Sequence, residues 1–159
     1  MLYKTALSAL LFSALAIAAP PTSPVSLLLQ PRTDACSADP NIGYCKTLTY
    51  NDRTVAGAPS GDACQNTCRS VLADAGDWTV DFHGKGAGYL NIMLSSACSF
   101  AVSRVSDKDA AQFEFPMHNL DILDVIGGAV GRFAGKHGGN VKADGTMECS
   151  GHVVKWYVG

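Results

Sequence analysis

Four histidines and six cysteines are the residues of this chain whose types could do chemistry. His83, His118, His137 and His152 would serve acid–base catalysis only beside a second polar group with a pKa tuned near neutrality. Asp81 and His83 share a strand parity and could lie side by side, and His152 falls in a predicted turn near Glu148. A ribonuclease-like set would draw two histidines, a glutamate and an arginine from these and from Glu114, Glu148, Arg104 and Arg132. Nothing in the spacing brings those groups together, and neither a Gly-x-Ser-x-Gly nor a His-Glu-x-x-His sequence occurs. The histidines therefore read as structural or solvated, the chain is expected not to be an enzyme, and no cofactor is expected.

The cysteines, at 36, 45, 64, 68, 98 and 149, point to disulfides. Their even number follows a secretory leader: Lys4, an apolar run from Ala6 to Ala19, and Ala16-x-Ala18 before a cleavage placed after Ala18. The apolar run is too short to span a bilayer, and no other segment approaches the ~18 apolar residues of a span. Zinc is a weaker reading, since Cys64 and Cys68 sit four apart with no second Cys/His pair at ligand spacing. The expectation is a secreted, extracellular, soluble protein with its thiols oxidised. The net charge is −2 without a basic run, which argues against nucleic acid or anionic membrane as the principal partner.

Gly84-Lys85-Gly86-Ala87-Gly88 has the look of a phosphate loop. It lacks the Lys-Ser/Thr ending and no helix follows, so it reads as a mobile hairpin tip. With His83, Lys85 and Tyr89 around it, the tip is a candidate contact patch for a partner. Trp78 and Trp156 could stack on sugars, but their strand contexts favour the core.

The elements that must position these residues alternate. Residues 1–18 form the signal peptide, 19–40 a Pro-rich arm or pro-segment tied down by Cys36, and 41–159 one domain. Tyr44–Tyr50 is a strand, with Cys45, Thr47 and Thr49 on one parity and Leu48 and Tyr50 on the other. Asp62 caps a helix with a buried stripe of Cys64, Cys68, Val71 and Leu72, ended by Gly76. Strands follow at Trp78–Phe82 and Tyr89–Leu94, then a half-buried one carrying Cys98, Phe100 and Val102. Asn119 caps a second helix with Leu120, Leu123, Ile126, Val130 and Phe133 on one side, closed by the glycines from Gly135 to Gly139. Gly127, Gly128 and Gly131 inside it require close packing on a sheet as compensation. Two strands, Val141–Cys149 and Val153–Val158, turn at Ser150-Gly151, with Asp144-Gly145 as an alternative turn. The fold class is α+β: a disulfide-stabilised sandwich, mainly antiparallel sheet against two helices.

Trp78-x-Val80, Cys98-x-Phe100-x-Val102, Asn119-Leu-Asp121-Ile-Leu-Asp124-Val-Ile126 with Phe133, and Val141-x-Ala143-x-Gly145-x-Met147-x-Cys149 followed by Trp156 carry a resemblance. In this order they resemble the Ecp2 effector (Hce2, necrosis-inducing factor) domain of secreted fungal proteins, over roughly Cys45 to Tyr157. The chain departs from that pattern where Ala63 separates Asp62 from Cys64, and Cys36 and Cys68 are additions to a four-cysteine set. Six cysteines allow fifteen pairings. The resemblance implies a fold related to KP4-type killer toxins and a pairing of Cys45 with Cys149, of Cys64 or Cys68 with Cys98, and of Cys36 with the remaining helix cysteine. It implies a monomeric, non-enzymatic effector that acts in the host apoplast and promotes plant cell death through a host protein, membrane-bound or not. The alternatives are a killer-toxin-like protein aimed at a competitor's membrane channel, and a small secreted hydrolase such as a nuclease.

Overall fold

The computed structural model describes residues 34–39, 41–74 and 76–159. The expected signal peptide and most of the expected Pro-rich arm lie outside the described residues. What is described of the arm is anchored. Cys36 is buried and bonded to Cys68, and Gln65 accepts from the Ala35 amide (2.7 Å) while donating to Asp34 (2.7 Å).

Among the described residues there are seven strands and two α-helices: β1 (Cys45–Asp52), α1 (Gly61–Ala73), β2 (Trp78–Asp81), β3 (Leu90–Leu94), β4 (Phe100–Arg104), β5 (Glu114–Met117), α2 (Asn119–Phe133), β6 (Ala143–Cys149) and β7 (His152–Val158). A short 3-10 turn, Ala134–Lys136, extends α2. Five strands form an antiparallel sheet in the order β1-β6-β7-β4-β3, and β2 pairs with β5 in a separate two-stranded sheet. The α+β class and the predominantly antiparallel sheet agree with the sequence reading. Ser150-Gly151 makes the β6–β7 turn, both residues at positive φ (50° and 81°), while Asp144-Gly145 lies within β6 opposite Tyr157 and Trp156.

Period-two patterning fills one face of the large sheet with Phe100, Val102, Val154, Trp156, Val158, Ala143 and Met147, all buried. The expected parity of β1 is corrected at Leu48. A bulge between Thr47 and Thr49 leaves Leu48 outside the register, so Tyr50 joins Cys45 and Thr47 on the inner face and packs edge-on against Trp156 (5.0 Å). Strand β4 is buried along its whole length instead of half-buried: the positions alternating with Phe100, Val102 and Arg104 are the small Ala101 and Ser103, and the Ser103 hydroxyl lies 3.1 Å from that of Tyr157 on β7.

Both helix caps differ from expectation. Ser60, not Asp62, caps α1, its hydroxyl accepting from the Ala63 amide (3.2 Å), and Asp62 sits in the first turn. The α1 stripe takes Thr67 in place of Leu72. Thr67 donates to the Cys98 carbonyl (3.0 Å), and Leu72 is half exposed. His118, not Asn119, caps α2. Its Nδ1 accepts from the Leu120 amide (3.1 Å), and Asp121 accepts from the His118 amide (2.7 Å), closing a capping box. Asn119 instead ties the helices together, donating to the carbonyls of Val71 (3.0 Å) and Asp74 and accepting from Trp78 Nε1 (2.5 Å).

Three disulfides close the molecule: Cys36–Cys68, Cys45–Cys149 and Cys64–Cys98. Among the described residues no cysteine is free, and no thiolate pair remains for zinc. No helix among them is long and apolar enough to cross a membrane.

Candidate functional site

The segment from Asp81 to Tyr89 connects the two sheets. β2 pairs with β5 and β3 pairs with β4, so it is not the hairpin tip expected from the sequence. Nor does it hang free. Phe82 is fully buried, donates its amide to the Phe113 carbonyl (3.0 Å), and packs against the rings of Phe113, Phe115 and Tyr89. Glycines meet the turns that need left-handed backbone at Gly84 (φ 67°) and Gly88 (φ 77°).

Arg104 holds this segment from below. It continues the inward parity of Phe100 and Val102 and is 2 % exposed. Its guanidinium donates to the carbonyls of Lys85 (3.4 Å), Gly86 and Ala111 (3.1 Å), and lies 5.3 Å from the Phe82 ring centre. Charge-assisted bonds to two carbonyls of the loop, Lys85 and Gly86, and to Ala111 outside it tie down a segment that has no ladder of its own. Gln112 adds a further tie by accepting from the Gly84 amide (2.5 Å). Arg104 is thus committed to structure, and Arg132, the other arginine considered for chemistry, lies over the Tyr50 ring (4.5 Å).

Of the three residues expected to form a contact patch, His83 is exposed, while Lys85 and Tyr89 are half-buried, Tyr89 with its ring against Phe82. Lys85 Nζ stands 5.0 Å from the Tyr89 ring centre, an orienting cation–π contact. His83 Nδ1 lies 2.8 Å from Asp81 Oδ1, and the same carboxylate accepts from the His83 amide (2.7 Å). Those two bonds, the amide first, hold the Asp81 carboxyl below the usual aspartate range. Glu114 is the register partner of Asp81 across β5, and the ligand atoms of Asp81, His83 and Glu114 lie within 4.8 Å of one another, all exposed. Two carboxylates and an imidazole so placed could hold a divalent cation or present a mixed-charge contact surface.

The other histidines go elsewhere. His118 caps α2, His137 meets Asp52 (2.7 Å), and His152 stacks on Phe113 at 4.2 Å. Among the described residues no hydrogen bond, ion pair or ring contact joins two of the four. The tryptophans are likewise committed: Trp156 is fully buried and donates to the Thr146 carbonyl (3.3 Å), and Trp78 donates to Asn119.

An α+β fold locked by three disulfides, with a pinned and polar exposed loop, defines a rigid surface-presenting domain. The chain belongs to the Hce2 family, described as a pathogen effector and putative necrosis-inducing factor, which matches residues 44–149. Comparison with curated proteins finds no significant match.

Proposed function

We propose that this protein is a secreted fungal effector that acts in the host apoplast and induces plant cell death by binding a host protein, without catalysis of its own. The observation that carries the reading is membership of the effector family over residues 44–149. Three disulfides suit an oxidising, extracellular setting. The absence of catalysis is supported by where the reactive side chains go, with Arg104 spent on carbonyls, His118 on a cap and His152 on a ring stack.

The loop bearing His83, Lys85 and Tyr89 is the contact patch of this reading. Its backbone is held by Arg104, so its side chains are presented with little ordering cost on binding. Infiltration of the purified, oxidised mature protein into leaves of several species, beside a reduced and alkylated sample, tests the effector role. Necrosis from the oxidised sample alone is expected. No response in any species, together with growth inhibition of other microbes, would move the target to a competitor. Lys85→Glu is expected to weaken the leaf response while leaving Tm unchanged, and an undiminished response removes the loop from the interface.

A further inference from the structure

The glycines of α2 fall into two groups. A Cβ at Gly127 would stand 2.6 Å from the Cys36 carbonyl oxygen, and one at Gly128 would run into the Tyr50 hydroxyl. Gly131, and Gly135 one turn later, are exposed and would meet nothing within 4 Å. At Gly131, inside α2, intrinsic helicity favours alanine over glycine and no packing opposes it, while Gly135 lies in the 3-10 turn that follows. Bare backbone at a helix surface allows another chain to approach closely.

Arg132 and Lys136, both exposed, run beside these glycines at a helical spacing of four. Arg132 lies over the Tyr50 ring (4.5 Å) and Lys136 over the Phe133 ring (5.4 Å). Among the described residues neither has a carboxylate within ion-pair distance. Two acids of β1 and α2 are engaged elsewhere, Asp124 by the Thr47 hydroxyl (2.9 Å) and Asp52 by His137 (2.7 Å). The two cations, Tyr50, Phe133 and Leu48 line a cleft of about 390 Å³. Leu48 is the bulge residue of β1, 45 % exposed, turned out of the ladder toward this cleft. Basic residues in a last helical turn complement the helix dipole. That accounts for the charges but not for the bare glycines beside them or the outward leucine.

We propose that this face of α2 docks an acidic peptide segment of a partner protein. Its carboxylates sit at Arg132 and Lys136, an apolar side chain rests on Leu48, and its backbone passes over Gly131 and Gly135. The proposal rests on the reading of the protein as one that binds a host protein, and adds a second surface to the His83–Tyr89 loop. An acidic polysaccharide fits less well. Sugars stack on open aromatic faces, and here the cations already cover Tyr50 and Phe133, the latter only 8 % exposed.

The test is an NMR titration of the oxidised mature protein at low salt with a synthetic Glu/Leu peptide, beside a Lys/Leu peptide and polygalacturonate. Saturable shifts of the Gly131 and Gly135 amides are expected with the Glu/Leu peptide alone. Arg132→Glu combined with Lys136→Glu should weaken binding about tenfold or more, with folding intact. Gly131→Ala should raise Tm and weaken binding together, a combination that a purely structural glycine cannot give. Absent shifts at those amides, unchanged affinity in the charge-reversed variant, or tighter binding of polygalacturonate overturns the proposal. Leaf infiltration keeps the two readings apart. Peptide binding without any leaf response overturns the effector reading and leaves the acidic-peptide site standing. Loss of peptide binding with undiminished necrosis removes the site from the partner interface.

Discussion

Gly127, Gly128 and Gly131 carry the same helix penalty in sequence and stand in different surroundings. Alanine at 127 or 128 must displace a backbone carbonyl or a tyrosine whose hydroxyl donates to the Asp124 carbonyl (3.2 Å). Each of those variants should lose ~1–3 kcal/mol, as overpacked sites do. Gly131→Ala should gain about 1 kcal/mol, because the added methyl meets open space and the unfolded chain loses freedom. Urea denaturation of the three variants checks the signs, and a loss at 131 would show that the helix is crowded there. Asp52 gives a second prediction at this scale. The His137 side chain first, then the Thr54 amide, hold its carboxyl at about 2, below an ordinary 3.8. A depressed carboxylate stabilises the fold above its ordinary pKa, and the contribution disappears as pH falls through the folded value. The Tm difference between wild type and Asp52→Asn should therefore close as pH falls from about 4 to about 2. A difference that does not change with pH in that window would sink the assignment.

At the scale of elements, the α2 start depends on a histidine ring nitrogen acting as the acceptor. His118→Asn puts a side-chain oxygen in place of Nδ1 as acceptor for the helix amides and should leave stability within a few tenths of a kcal/mol, whereas His118→Leu should cost ~1 kcal/mol. Equal stability of the two variants would mean that the Asp121 half of the capping box carries the helix start. Asn119 was the more obvious cap in sequence, being the commoner N-cap type. It is drawn into the helix because its amide bridges the end of α1 to Trp78, a tertiary demand invisible in local pattern. The long alternating strands were legible, and the Ser150-Gly151 turn with them, since seven residues of period two leave one consistent face. Strand β5 was not. Glu114–Met117 offers only Phe115 and Met117 as inward positions and contains Pro116, which argues against a strand. Missing β5 also hid the partner of β2, and so turned a link between sheets into an apparent hairpin. The candidate site was readable to the same extent. Asp81 and His83 meet because they are two apart, while Glu114 joins them only through β5. Arg104 had a signal in its parity with Phe100 and Val102, but an arginine at an inward position looks like an error until three carbonyls need a donor.

The whole molecule is held by disulfides of unequal reach. Cys45 and Cys149 are 104 residues apart and are register partners at the end of the β1–β6 ladder, whereas Cys36–Cys68 and Cys64–Cys98 span 32 and 34. On chain entropy alone, a loop near one hundred residues contributes ~4.7 kcal/mol and one near thirty ~3.7 kcal/mol. Replacing Cys45 and Cys149 together by alanine should therefore lower stability by ~1 kcal/mol more than replacing Cys64 and Cys98. Access runs in the same order. Cys45 is partly exposed, while Cys36, Cys64, Cys68, Cys98 and Cys149 are buried to within 2 %. A reductant attacks the accessible sulfur, so limited reduction should open Cys45–Cys149 first. Alkylation after partial reduction, followed by peptide mapping, reads that order directly. Early labelling of Cys36 or Cys68 instead would show that the anchored 34–39 segment opens before the sheet edge does. If Cys45–Cys149 is both the strongest constraint on the unfolded chain and the first to open, a reducing environment acts on this protein through one bond. Its loss should lower Tm in a single early step, with the helix bonds surviving until the core itself unfolds. A Tm unchanged after complete reduction would mean that the packed sheet and helices hold the fold without them.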